Sequence, residues 1–176
     1  MQQTAGALGS ASTALSVNSG GTALEYAAAG PIKHLGTGTV SSGTSVSVSS
    51  LADYDIYFCF LEWVTASTAA AIRFNDISTN SYTSALLEDT TKSSGTSTYW
   101  TVSDSHTKLC IYFKIFKRSD GKLMIGNGAS DASLATINSF SGVHASTAAI
   151  TKISALSNGG ETITAGRLVV WGANYT

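Results

Sequence analysis

Apolar and polar residues alternate along much of this chain with the period of two that a half-buried strand requires. Val46 and Val48 alternate with Ser45, Ser47 and Ser49, and Ile72 and Phe74 alternate with Arg73 and Asn75. Strand signals of this kind recur every 8 to 15 residues or about that, which is the spacing of a sandwich or barrel. The first lies near Ile32 to Leu35 and leads into Gly36-Thr-Gly-Thr. Others are predicted over Thr44 to Leu51, Tyr54 to Val64, Ala70 to Asn75, Leu109 to Lys117, Lys122 to Gly126, Leu134 to Phe140, Thr162 to Ala165 and Leu168 to Trp171. Ala148 to Leu156 is ambiguous, because Ile150, Ile153 and Leu156 also suit a helical face; the flanking strands and Thr151 favour a strand. Arg118-Ser-Asp-Gly121 carries the strongest hairpin signal, and the polar run from Asp76 to Ser81 and Asn158-Gly-Gly160 mark further turns.

From Tyr54 to Val64 the alternation fails in an informative way. Ile56, Phe58 and Phe60 fall on one face, and Tyr57, Cys59, Leu61 and Trp63 on the other, so both faces carry large side chains. In a two-layer sandwich only one of these rows meets the core. The other needs a second chain, the N-terminal arm or a covering loop of the same subunit, and Tyr57, Leu61 and Trp63 are the candidate subunit-interface residues. Residues 88–106 read as a long polar loop interrupted by Tyr99 and Trp100. Loops of that length bind something or cross an interface; the aromatic pair is a candidate for stacking on a glycan, for filling a neighbour's pocket, or for folding back as a lid.

Residues 1–30 have a different character. They are poor in charge, with Glu25 the sole ionisable side chain, and their sparse apolar positions include Leu15, Val17, Leu24 and Tyr26. Leu15 to Tyr26 reads as two short strands around an Asn-Ser-Gly-Gly turn. Such a segment has no core of its own, so the four apolar residues are the candidate contacts of an N-terminal extended arm with another surface. Gly30-Pro31, with the single proline, closes this composition. The expected organisation is an arm over residues 1–30 and a β-sandwich domain over 31–176, all-β and antiparallel.

Composition narrows the function. The chain of 176 residues is 43% hydrophobic but only 12% charged, with ten Lys and Arg against eleven Asp and Glu, for a net charge of -1. Neither sign is concentrated enough to attract nucleic acid or an anionic membrane. The basic cluster Lys108, Lys114, Lys117, Arg118 and Lys122 reads as a solvated hairpin edge. No apolar run reaches the roughly 18 residues of a membrane span, and the N-terminus has no secretory pattern, so a cytosolic origin is expected. Cys59 and Cys110 lie in apolar strand runs; the sequence leaves open whether they meet, and a cytosolic route favours thiols.

The three histidines, His34, His106 and His144, are scattered. Asp104-Ser-His106 has the residue types of a triad, but triads form across a fold rather than between sequence neighbours. Asp53 and Asp55 flank one strand start, and Asp76 and Asn80 lie in a turn; neither pair fills a calcium shell of about six to eight oxygens. No cofactor, metal or catalytic residue is expected.

Three segments together resemble a family of small β-sandwich domains of tailed-phage virion proteins. Arg73-Phe-Asn-Asp76 followed by Asn80-Ser-Tyr82 resembles that family's Arg-Phe-Asn-Gly-Asp-x-Gly-x-Asn-Tyr block. Thr44 to Leu51 with Tyr54 to Phe58 resembles its opening strand pair, and Gly166-Arg-Leu-Val-Val-Trp-Gly172 its closing strand. The glycine after Asn75 is missing, and Trp171 stands where Tyr is usual. Leu15 to Tyr26 is similar to a hairpin that precedes head domains of phage fibres. The resemblance implies a jelly-roll-like sandwich, a homotrimer, a place in the virion after assembly in the host cytoplasm, and the major capsid protein or other virion proteins as partners. Absence of a long shaft favours a capsid cement or decoration protein. The alternative it implies is a tail-fibre or spike head that binds host glycans, with Tyr99 and Trp100 as the stacking residues.

Overall fold

The computed structural model describes the backbone of residues 13–17 and 24–28, and residues 32–130 and 136–174 in full apart from the side chains of 66, 67 and 105. Chain contacts separate two compact units, Met1–Lys33 and His34–Thr176. In the first, β1 (Thr13–Val17) and β2 (Leu24–Ala28) pair antiparallel, with Leu15 opposite Tyr26 and Val17 opposite Leu24. The two strands expected there are present. The turn between them, and the contacts of Leu15, Val17, Leu24 and Tyr26, lie outside the described residues.

The larger unit is an antiparallel β-sandwich, and among the described residues every regular element is a strand. Its strands are β3 (Ile32–Val40), β4 (Ser45–Ser49), β5 (Ile56–Phe74), β6 (Tyr82–Glu88), β7 (Thr91–Ser97), β8 (Trp100–Arg118), β9 (Gly121–Ser130), β10 (Thr136–His144), β11 (Lys152–Ser157) and β12 (Ile163–Ala173). The ambiguous segment at 148–156 is therefore a strand over its second half. One layer has the order β3-β12-β5-β8-β9-β10-β6-β7, while β11 joins β4 to β5.

Two 19-residue strands, β5 and β8, hold the layers together. Ile56 to Thr65 runs between β12 and the C-terminal half of β8; Ala70 to Phe74 runs between β11 and the N-terminal half of β8. The register slips between Val64 and Thr68 and twice more before Ala71. At such irregularities strands bend and pass from one sheet to the next. The sequence through this corner, Thr65-Ala-Ser-Thr-Ala-Ala70, contains small side chains only, which leave room for the bend. The predicted strands at 54–64 and 70–75 are thus one strand.

The long loop expected over 88–106 is corrected by the structure. Thr91–Ser97 is β7, paired with β6 from Tyr82↔Ser97 to Glu88↔Thr91, and β8 begins at Trp100. β7 ends the strand order and is almost wholly exposed, so it has no buried row to impose alternation on its sequence. Trp100 is fully buried, with its ring 5.5 Å from Phe74 and 5.1 Å from Tyr82, and its indole N–H donates to Val143 O at 3.1 Å. It is a core residue; the lid-like alternative is the nearest description, and stacking on an external glycan is excluded by its burial.

The facing strand β10 accommodates this ring through Gly142. A Cβ there would stand 2.3 Å from Trp100 Cδ1. Gly142→Ala is expected to cost about 2 to 3 kcal/mol by overpacking, read as a lowered urea midpoint with unchanged slope.

The predicted 118–121 hairpin forms, with Arg118 opposite Gly121 and Ser119-Asp120 as the turn. Gly121 takes φ +143°, and a Cβ on it would lie 2.2 Å from His144 O.

Candidate assembly surface

Parity along β5 decides which row faces out. Tyr57, Cys59, Leu61 and Trp63 are all buried in the chain's own core, and the Tyr57 hydroxyl donates to Ala52 O and Ile150 O at 2.9 and 3.2 Å. Burial pushes that phenol up to about 12. Tyr57, Leu61 and Trp63 are therefore corrected from interface residues to core residues: a fully buried side chain has no area left to offer a second chain. The outward row is Ile56, Phe58, Phe60, Glu62 and Val64.

That row continues across the layer. Phe60 pairs with Val169 on β12 and Tyr112 on β8, and Tyr112 leads through Asn127 and Ser139 to Leu87. Phe58 lies between Trp171 and Lys114, and Lys114 is opposite Ile125 on β9. Ile56 is followed by Phe116, Leu123 and Val143. Tyr112 is 54% exposed, Val143 48%, and Ile125 and Leu87 41% each, so these apolar residues meet solvent.

The charges on this face do not break it up. Lys114 Nζ sits 5.5 Å above the Phe58 ring, and Arg167 lies 5.9 Å above Phe60 while pairing with Glu62 at 2.8 Å. Both cations lay their stems along aromatic surface. Two depressions flank the centre: one of about 450 Å³ includes Leu87, Ile125 and Ser139, and one of about 390 Å³ includes Val64, Cys110 and Arg167. Six strands about 4.8 Å apart over some six residues at roughly 3.4 Å rise give a face on the order of 600 Å². The apolar share of that footprint is smaller, because Glu62, Lys114, Asn127 and Ser139 lie within it; the whole face, matched by an equal area on a partner, reaches the low end of specific interfaces, about 1,200 Å².

The remaining singled-out residues find local roles. Cys59 points into the core, where burial pushes its thiol up, and Cys110 lies in the outward row; both are free thiols. Asp53 pairs with Lys117, Asp76 with Lys152, and Arg118 with Asp120. Asp55 N–H donates to Asn174 Oδ1, and His34 packs edge-on to Trp171 at 6.0 Å. His106 Nε2 meets Glu88 Oε1 at 3.1 Å rather than Asp104, so the Asp104-Ser-His106 run does not assemble as a triad.

His144 and Lys122 are buried polar residues that sequence reading missed. His144 Nδ1 accepts the Ser146 N–H at 2.9 Å, so the neutral ring carries its proton on Nε2 and donates it to Ser81 Oγ at 2.8 Å. A base must accept from its serine; this ring donates. Lys122 Nζ donates to Ser146 O at 3.0 Å. Burial, then the Lys122 charge, holds the His144 pKa below its ordinary value. The unfolded chain thus binds the extra proton first, so stability is complete above the ordinary value of about 6.5 and is lost as pH falls below it. The urea midpoint is expected to fall from pH 7 to 5, by at most about 1.4 kcal/mol per pH unit for this one proton. His144→Gln should flatten that slope while lowering stability overall.

Comparison with known proteins gives no family: no protein-family model matches the chain, and no curated protein matches it.

Proposed function

We propose that this protein is a non-enzymatic structural component of a tailed-phage particle. It is a cement or decoration subunit that self-associates as a trimer through the outer face of its eight-strand layer and docks on the major capsid protein or another virion protein through its N-terminal arm. The observation that carries the reading is the outward row of β5, half-buried, and its continuation to Tyr112, Ile125 and Leu87, which are exposed among the described residues: a weakly charged face rich in apolar side chains. The likeness of residues 44–51, 54–58, 73–82 and 166–172 to phage sandwich domains supplies the particle and the trimer. Cement stabilises a shell by adding buried area across its seams, and each partner bound only to the assembled state shifts the equilibrium toward it. That mechanism asks for surfaces rather than for a reactive group.

The arm is assigned to docking because β1 and β2 oppose Leu15 to Tyr26 and Val17 to Leu24, positions that alternate onto one side of a ladder. A two-stranded ribbon is marginally stable alone, so it gains most by lying on another surface. Deleting residues 1–30 is expected to leave the sandwich folded, by circular dichroism and urea melt, and to abolish its co-sedimentation with particles. Undiminished co-sedimentation of the truncated protein sinks the arm assignment.

A further inference from the structure

The sandwich closes some of its strand edges and leaves one open. On β8, the backbone N–H groups of Thr101 and Asp104 are taken by side chains of β6, Ser84 Oγ at 3.3 Å and Glu88 Oε1 at 2.9 Å. At the opposite side β3 runs against β4 so closely that a Cβ on Gly38 would stand 2.2 Å from Ser47 O. β7 ends the strand order, and no described strand pairs with its far side. Thr91 to Thr96 are all exposed. We propose that this edge pairs antiparallel with the same edge of a second copy, about a two-fold axis at Ser94, and so continues the eight-strand layer from one subunit into the next.

The hairpin fixes which backbone groups are free. Glu88 and Thr91 close a two-residue turn, Asp89-Thr90, so that pair is a hydrogen-bonded one, and bonded and non-bonded pairs alternate from there. Ser93, Gly95 and Ser97 therefore bond to β6, while Lys92, Ser94 and Thr96 turn their N–H and C=O groups to the open side. An edge-to-edge ladder must set outward-turned residues opposite one another. Centring it on Ser94 does so: Ser94 meets Ser94 of the other copy, and Lys92 meets Thr96. Lys92, the sole charge of the strand, then faces no like charge, and Thr91-Lys-Ser-Ser-Gly-Thr-Ser97 has no bulky apolar side chain, proline or bulge to hold a second strand off. The edge is also held in place. Thr96 Oγ1 meets Thr83 Oγ1 at 3.3 Å, and where Thr98 and the half-buried Tyr99 carry the chain on to β8, Arg73 Nε donates to Thr98 O at 3.1 Å. Pairing thus orders little that is not ordered already. A strip of seven residues at about 3.4 Å each and about 10 Å thick buries on the order of 500 Å² over both copies, below the roughly 1,200 Å² of stable interfaces. The contact is weak alone and becomes effective between subunits already held at high local concentration.

The proposal stands without the outer-face assembly, and the test keeps the two apart. It uses the full-length chain carrying Tyr112→Glu and Ile125→Asp, which remove the outer-face contact, and Cys110→Ser, which removes the half-buried thiol and leaves only the buried Cys59. On that background sedimentation is expected to show a monomer at about 20 µM and about half dimer near 1 mM, as suits so small an interface. Ser94→Cys places two thiols at a hydrogen-bonded pair with Cα atoms about 5.5 Å apart, within disulfide reach, whereas Lys92→Cys leaves them about 13 Å apart. Oxidation at 1 mM concentration or about that is expected to cross-link Ser94→Cys at least about tenfold faster than Lys92→Cys. Ser94→Pro deletes one outward N–H and spares the bonds to β6, so it is expected to keep the parent's circular dichroism and lose the dimer. Thr96→Lys sets a second cation opposite Lys92 at both ends of the ladder and is expected to weaken pairing about tenfold. A chain that stays monomeric near 1 mM overturns the proposal. Equal cross-linking at positions 92 and 94 also overturns it, as does a dimer undiminished by Thr96→Lys or by a folded Ser94→Pro variant.

Discussion

On the assembly proposed above, the double substitution Tyr112→Glu with Ile125→Asp is expected to leave a folded monomer, weakening association by at least about a hundredfold. Both residues lie near the centre of the outer face, at 54% and 41% exposure. Placing a carboxylate there costs nothing like the same in the two states. In the separate subunit each new charge projects into water, and surface substitutions away from special features usually change stability by less than about 0.5 kcal/mol. In the assembly each is stripped of water; the carboxylate of Tyr112→Glu stands between Phe60 and Asn127 with no cation opposite it, at a cost of several kcal/mol that by itself exceeds a factor of about a hundred, while that of Ile125→Asp lies opposite Lys114 and adds less. Sedimentation equilibrium reads the mass as a multiple of the 18.1 kDa chain. A single cooperative urea transition of the variant, with a native circular dichroism spectrum, shows that the fold survived, while its midpoint loses only what association added. An unsubstituted chain that stays monomeric at high concentration sinks the assembly reading outright, and so does a variant whose mass equals that of the parent.

The same face shows where the sequence was legible. Two large rows on residues 54–64 are evident from alternation alone, and so is the conclusion that one row needs outside cover. Which row faces out is told by the charged residues that share its parity and not by the apolar side chains, which are large on both. Glu62 shares its face with Ile56, Phe58 and Phe60, and across the ladder the same face holds Lys114. Charged residues at strand centres mark the solvent side, so Glu62 was the available signal. Other features left little trace. β7 is polar throughout because an edge strand exposed on both faces has no pattern to obey. Trp100 looked like a loop tip because the space that receives it is made by Gly142, 42 residues further on, and no local pattern reports that. Buried Lys122 and His144 read as surface charge and a scattered histidine, since their partners, Ser146 and Ser81, are set by the turn geometry at the end of the sandwich.

Asn75 holds the turn after β5 through both its backbone and its side chain, and Asn75→Ala is expected to cost about 3 kcal/mol. Asn75 and Asp76 both have left-handed backbones, at φ 51° and 55°. Asn and Asp are the side-chain-bearing residues that tolerate this region best, so the turn forms without a glycine. Asn75 also ties the turn to the chain entering β11. Its Oδ1 accepts the N–H groups of Thr151 and Lys152 at 2.8 and 3.2 Å, its Nδ2 donates to Ala149 O at 2.6 Å, and its backbone N–H donates to Lys152 O at 2.9 Å. Alanine removes four side-chain bonds, the fourth running from the Thr151 hydroxyl to Oδ1 at 3.2 Å, at roughly 0.5 kcal/mol or more each, and adds about 1 kcal/mol for a Cβ without polar compensation at positive φ. The two effects separate by substitution. Asn75→Gly relieves the backbone but not the lost bonds, so it is expected to recover about 1 kcal/mol of the alanine loss. Asn75→Asp keeps the acceptor for Thr151 and Lys152 but sets a carboxylate oxygen against the Ala149 carbonyl where Nδ2 donated, so its cost should be about 1.5 kcal/mol. For a unit of this size 3 kcal/mol corresponds to a fall in Tm of roughly 6 to 12 °C. Calorimetry that ranks the variants Ala below Gly below Asp supports the clamp; an alanine variant as stable as the parent means that β11 is held by its ladder to β5 and β4 alone, and that the turn is a passive connection.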